Sequence, residues 1–164
     1  GFFQINLPVY ELALTEIKKH INTDKVLDLY AGVGTIGLSV AHDKNLTLVE
    51  VDKFAYGELA RNIFIEDISE PGKARISAGR PWQTAPWDAE GPKVLWAGQT
   101  RVRNENILAE LAKSEEVLDH IEPDQTVILD PPRAGCDEKL IDRLNEVKPK
   151  KIIYLSCNPA TQAH

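Results

Sequence analysis

The chain has 164 residues, 19 basic and 25 acidic, for a net charge of −6, with 43% hydrophobic and 27% charged side chains. That length supports a single domain with a substantial core, and the composition is that of a globular protein. The acidic balance gives the chain no charge-based grip on nucleic acid, and no apolar run reaches membrane-spanning length. The two cysteines, Cys136 and Cys157, are too few for a disulfide framework, which makes a reducing cytoplasm the expected compartment. The start at Gly1-Phe2-Phe3-Gln4 and the lack of any methionine raise the expectation that the sequence is a segment of a longer protein.

Residues 1–6, GFFQIN, read as a short aromatic segment packed on the domain. Leu7 to Ile21 reads as a helix. Asn6 is a cap, Pro8 suits the first turn, and Leu12, Ile17 and Ile21 recur at helical spacing. The apolar run Val26-Leu27-Asp28-Leu29-Tyr30 then reads as a buried strand. It turns through Ala31-Gly32-Val33-Gly34 into a helix that starts at Thr35. Glycine brings the backbone close to a ligand, and the helix N-terminus behind it presents free N–H groups and a partial positive charge. Gly32, Gly34 and Gly37 match the G-x-G-x-x-G spacing of dinucleotide sites. Asp28 pulls the reading elsewhere, because an acid inside the strand repels a pyrophosphate and suits a cationic ligand such as S-adenosylmethionine, with its sulfonium and amino groups.

Leu46 to Glu50 reads as the second strand, ending in an acid placed to accept hydrogen bonds from ribose hydroxyls. Phe54 to Ile65 reads as a helix with Phe54, Leu59 and Ile63 inward, and Lys73 to Ser77 as a third strand. Residues 79–103 lose periodicity around Gly79-Arg80-Pro81-Trp82 and Pro86-Trp87, and read as a peripheral insertion, with Val94 to Ala97 a possible short strand. The tryptophans near Arg80, Arg101 and Arg103 could stack nucleic-acid bases, but anchoring a long loop is the more common role. Asn104 to Ile121 reads as a long helix with a solvated acidic face of Glu105, Glu110, Glu115 and Glu116. Thr126 to Asp130 reads as a strand leading into Pro131-Pro132-Arg133-Ala134-Gly135. A helix over 137–147, capped by Asp137, follows, and then a strand over 151–155 that leads into Ser156-Cys157-Asn158-Pro159.

Alternation of strands and helices implies an α/β domain, a parallel sheet with helices on both faces. The glycine turn, Glu50, Asp130-Pro131-Pro132-Arg133 and Ser156-Cys157-Asn158-Pro159 then all fall at the C-terminal rim, where such sheets bind ligands. Asp130 and the prolines form a stiff turn that holds a carboxylate against a planar ligand edge. Cys157, on that rim, is the candidate nucleophile, whereas Cys136, beside a glycine in a loop, reads as incidental. No cluster reads as a metal site.

DLYAGVG, DPPRAG and YLSCNPAT, with FFQIN at the start, resemble the catalytic domain of the S-adenosylmethionine-dependent RNA 5-methyluridine methyltransferases. The resemblance spans nearly the whole chain apart from 79–103 and implies a class I methyltransferase (Rossmann-like) fold. It implies that Cys157 is the nucleophile, and that Gln4, Tyr30, Glu50 and Asp130 contact S-adenosylmethionine together with the Gly32–Gly34 turn and Thr35. Arg133 and Asn158, within the same motifs, are the expected substrate contacts. The implied reaction methylates carbon 5 of a uridine in tRNA or ribosomal RNA. Two departures stand out. Ala31 occupies a position where the family usually has cysteine. The family's general base and closing strands lie beyond the SCNP motif, so they are expected past His164, just as an RNA-binding β-barrel is expected earlier in the chain. Competing readings are a nicotinamide-dependent dehydrogenase, disfavoured by Asp28, a non-catalytic S-adenosylmethionine-binding module, and an adenine-N6 methyltransferase, which would want an aromatic residue where Arg133 stands.

Overall fold

The computed structural model describes residues 7–63 and 100–156. Gln4, Cys157, Asn158, the strand expected at 73–77 and residues 79–99 lie outside the described residues. The described elements run α1 (Leu7–His20), β1 (Lys25–Asp28), α2 (Thr35–Ala41), β2 (Asn45–Glu50), α3 (Lys53–Asn62), β3 (Arg101–Asn104), β4 (Ile107–Leu111), β5 (Gln125–Leu129), α4 (Glu138–Val147) and β6 (Lys151–Tyr154). Short 3-10 turns at Ser114–Glu116 and Leu118–His120 join β4 to β5.

The strands form one sheet in the order β3-β4-β2-β1-β5-β6. Every pairing is parallel except β3 with β4. β2 lies on one side of β1 and β5 on the other, so the strand order reverses beside β1. In an open α/β sheet that reversal opens a crevice at the carboxyl ends of the strands. The register Asp28↔Leu48 on one side and Asp28↔Ile128 on the other brings the glycine turn, the end of β2 and the end of β5 to that one rim.

Strand residues alternate between two cores. Val26, Leu46, Leu48 and Ile128 meet Ile17 of α1, Ile36, Leu38 and Val40 of α2, and Tyr56 and Leu59 of α3. Leu27, Leu29, Val49, Val127 and Leu129 face the other way, onto Val117, Ile121 and, from α4, Leu140 and Leu144. The sheet is therefore covered on both faces, and β5 is buried along its whole length.

Asp52 caps α3 by accepting from the N–H groups of Phe54 at 3.0 Å and Ala55 at 2.8 Å. Asp137 caps α4 as its position predicts, accepting from the Lys139 N–H at 2.9 Å. Two side chains expected inside are outside: Leu12 is 70% exposed and Phe54 79%. Phe54 sits in the first turn of its helix, ahead of the face that buries Tyr56, Leu59 and Ala60.

The long helix expected over 104–121 is not formed. β3 and β4 make an antiparallel hairpin there, turning at Glu105-Asn106 with Glu105 at φ 49°. The pairing Asn104↔Ile107 leaves a two-residue connection, and Leu46 of β2 donates its N–H to the Asn106 carbonyl at 3.0 Å. Main-chain pairing with β2 and burial of Ile107 and Ala109 outweigh the helix propensity of this Ala, Leu and Glu-rich stretch. Glu110, assigned to a solvated face, is buried and bonded to Arg101 at 2.7 Å. Residues 101–103, the tail of the expected insertion, thus belong to a sheet strand.

Gly37 shows how closely α2 lies on the sheet. A methyl group at that position would come within 2.5 Å of Leu48 Cδ2 and 3.0 Å of Asp28 Oδ2. Gly37→Ala is expected to cost roughly 1–3 kcal/mol of stability through overpacking, read as a lower denaturant midpoint with an unchanged slope. An unaltered midpoint would show that α2 has room to move away.

Candidate cofactor site and family

The glycine turn is held from below and from the side by two carboxylates. Asp28, the last residue of β1, is 1% exposed. Its Oδ2 accepts from the Gly37 N–H at 3.2 Å and its Oδ1 from the Tyr30 N–H at 3.4 Å. Burial pushes its pKa up to about 7, opposed by those two backbone donors and reinforced by the nearby charges of Asp130 and Glu50. The sequence pattern places Asp28 against a cationic ligand. In the structure the carboxylate is enclosed beneath the turn and accepts from its amides.

Glu50 closes the turn from the end of β2. Its Oε2 accepts from the Gly32 N–H at 2.7 Å and its Oε1 from the Asp52 N–H at 2.6 Å. Each carboxylate oxygen keeps a further lone pair for a ligand donor. Gly32 and Gly34 both take positive φ, 56° and 89°, a region that glycine enters without penalty. No described atom lies within 4 Å of where a Gly32 side chain would stand, so the backbone there faces open space. At Gly34 a side chain would instead strike Leu59 and Leu38. The first glycine is open toward a ligand and the second is packed against the protein. Thr35 follows as the first residue of α2.

A cleft of about 230 Å³ opens beside this turn, lined by Leu29, Tyr30, Glu50, Val51, Ala112 and the segment Lys113 to Glu115. Tyr30 and Glu50 were expected here; Val51 and residues 112–115 were not. Reading 104–121 as a helix hid the fact that Ala112 follows a strand and shares the rim. A reading of Ile107 to Leu111 as a strand would have placed it there.

Asp130 follows β5 at the same rim. Its carboxyl is exposed, yet desolvation by its surroundings raises its pKa. Behind it the Gly135 N–H donates to the Pro132 carbonyl at 2.8 Å, closing a tight turn with Gly135 at φ 84°. Arg133 is exposed on that turn. Tyr10 of α1, missed in the sequence, lies near enough to Asp130 and Asp28 for their charges to add to the rise that burial causes in its pKa. Cys136 is half-buried and packs against the cluster around Leu29 and Leu129. Among the described residues no helix is long and apolar enough to cross a membrane, and no group of three or more metal-ligating side chains converges.

The raised pKa of Asp28 predicts a pH dependence. The folded chain holds this proton up to about pH 7 whereas the unfolded chain releases it near 3.8. Its contribution to stability is fully present below the unfolded value and is lost as pH rises toward 7, by roughly 1.4 kcal/mol for each pH unit between the two values. Asp28→Asn is expected to flatten the fall in unfolding free energy between pH 4 and 7. An unchanged slope would mean that other groups set it.

The tRNA (uracil-5-)-methyltransferase family model matches residues 106–164. Over 99% of its length the chain is 31% identical to an uncharacterized RNA methyltransferase of Enterococcus faecalis and 34% identical to one of Staphylococcus aureus. It spans about 30% of the length of each of these relatives. A solved structure of the Pyrococcus abyssi tRNA (uracil-54, C5)-methyltransferase in complex with S-adenosyl-L-homocysteine superposes with a TM-score of 0.67 and 29% identity, covering 99% of this chain and 32% of that one. With its mostly parallel sheet, its glycine turn and these matches, the chain is similar to the RNA (uracil-5-)-methyltransferases and has the class I methyltransferase fold.

Proposed function

We propose that this chain binds S-adenosylmethionine in a protein that methylates carbon 5 of a uridine in tRNA or ribosomal RNA in the cytoplasm. The observation that carries the reading is the pairing of open space over Gly32 with the Glu50 carboxylate beside it. The solved relative with S-adenosyl-L-homocysteine supports the cofactor class. In this reading the adenosine lies along the cleft walled by Tyr30, Val51 and Ala112. Glu50 uses its free lone pairs for the ribose hydroxyls. The amino acid end extends over the Gly32–Gly34 turn and Thr35 toward Asp130, with Gln4 completing the site.

The cofactor supplies an electrophilic sulfonium methyl, and the chain's own residues prepare the acceptor. The Cys157 thiolate adds to carbon 6 of the uracil, which makes carbon 5 enolate-like and able to take the methyl. A base removes the carbon 5 proton, and the electron pair expels the cysteine as carbons 5 and 6 regain their double bond. Arg133 and Asn158 orient the uridine, which must leave its stack to reach the rim. The described thiol, Cys136, fits the nucleophile's role poorly because burial pushes its pKa up. The net charge of −6 leaves the grip on RNA to other parts of the protein.

Titration calorimetry with S-adenosylhomocysteine tests the reading. The chain is expected to bind it, and Glu50→Ala to weaken binding by more than the roughly fivefold that one neutral hydrogen bond contributes, since the substitution also frees the Gly32 N–H. In the full-length protein, Cys157→Ala is expected to abolish methylation and spare cofactor binding. Equal affinity of parent and Glu50→Ala, or methylation by Cys157→Ala, would contradict the respective assignment.

A further inference from the structure

Helix α3 meets the glycine turn at three places along its length. At its N-terminal end the Asp52 N–H donates to Glu50 Oε1, and Glu50 Oε2 accepts from the Gly32 N–H. Further along, Leu59 fills the space beside Gly34, where an added methyl group would come within 2.7 Å of Leu59 Cδ1. At its C-terminal end Asn62, the last residue of the helix, donates from Nδ2 to the Val33 carbonyl at 2.8 Å. The Val33–Gly34 peptide is thereby bonded at both polar ends, because the Gly34 N–H donates to the Ala31 carbonyl at 2.8 Å. Asn62 itself does not line the cleft beside the turn.

We propose that Asn62 is a positioning residue of the cofactor site, which fixes the Val33–Gly34 peptide and so presents Gly32 to the ligand. This rests on the reading of the neighbouring cleft as the cofactor site. The turn needs such a hold. Val33 stands between Gly32 at φ 56° and Gly34 at φ 89°. Glycine enters both signs of φ readily, so the peptides on either side of Val33 turn over at little steric cost. Turning the Val33–Gly34 peptide over breaks two hydrogen bonds with Asn62 in place and only one without it. The chemistry of the pair selects asparagine. A backbone carbonyl only accepts, so its partner must donate, and a side-chain amide donates without bringing a charge. An aspartate of the same shape would set an acceptor against an acceptor. The hold is also stiff. α3 has ten residues, roughly 15 Å of helix, so two adjacent residues of the turn are tied to the two ends of one rigid element.

Hydrogen exchange on the chain without ligand tests the hold. Asn62→Leu keeps the shape of the side chain and removes the donor. It is expected to speed exchange at the Gly34 amide about fivefold, the value of one net neutral hydrogen bond. Tyr56, whose N–H donates to the Asp52 carbonyl in α3, and Val127 in β5 should keep their rates. Asn62→His places a ring Nδ1–H as many bonds from the backbone as the asparagine Nδ2, and should return Gly34 toward the parent rate. Unchanged exchange at Gly34 in Asn62→Leu would overturn the proposal. So would acceleration that reaches Tyr56 and Val127 equally, because it reports a general loss of stability. Exchange at Gly34 as fast in Asn62→His as in Asn62→Leu would also overturn it, by making shape rather than the donor decisive. Titration with S-adenosylhomocysteine gives a separate reading. A loss of affinity of about fivefold in Asn62→Leu, recovered in Asn62→His, is expected. Equal affinity of Asn62→Leu and the parent would overturn the link from this peptide to the site. A parent that binds no S-adenosylhomocysteine would sink the cofactor assignment, while the exchange pattern would still decide whether Asn62 fixes the turn.

Discussion

A carboxylate buried directly beneath the glycine turn is the constraint on which the rim depends. Asp28 reaches both limbs of the turn, the Tyr30 N–H on the strand side and the Gly37 N–H on the helix side. A turn with two residues at positive φ has lost the backbone pairing that a strand or helix would give it. Without an internal acceptor, the buried Gly37 amide would go unsatisfied at the N-terminal end of α2. The side chain at position 28 must be short, acidic and enclosed, and the residue at 37 must lack a side chain to let it pass. The desolvation that results is the cause of the raised Asp28 pKa. The strain of an enclosed acid is tolerated at a place where the backbone must be held in one shape.

Glu50 completes the frame from the neighbouring strand. It ties the Gly32 amide to the cap of α3 through Asp52, so the turn, β2 and α3 are joined by one run of hydrogen bonds. The cleft beside it takes its far wall from the segment after β4 and its inner wall from Tyr30. Every lining element is thus rooted in a parallel strand whose faces are both buried, which keeps the site in place before any ligand arrives. Space is open over Gly32 and filled at Gly34 by Leu59 and Leu38.

Much of this was legible in the sequence. Lys25–Asp28, Asn45–Glu50, Gln125–Leu129 and Lys151–Tyr154 were each anticipated within two residues, because strands of a parallel sheet read as continuous apolar runs. The turn, the acid at the end of β2 and the Asp137 cap carried local chemistry that spacing alone reveals. The hairpin did not. Asn104 to Glu116 is rich in helix formers, and its strand identity comes from pairing with β2, which is about sixty residues away and invisible locally. That single misreading removed Ala112 to Glu115 from the expected rim. Asp28 was singled out correctly as unusual, but its direction could not be read, since an acid in a strand points up or down according to packing.

The most direct test of this account is a crystal structure of the chain grown with S-adenosylhomocysteine. The account predicts the ribose hydroxyls within hydrogen-bond distance of the Glu50 carboxylate, the adenine in the cleft between Val51 and Ala112, and the amino acid end over Gly32, with Asp28 still bonded to the Tyr30 and Gly37 amides. A ligand seated elsewhere on the sheet, or a ribose that leaves Glu50 bonded only to Gly32 and Asp52, would contradict it.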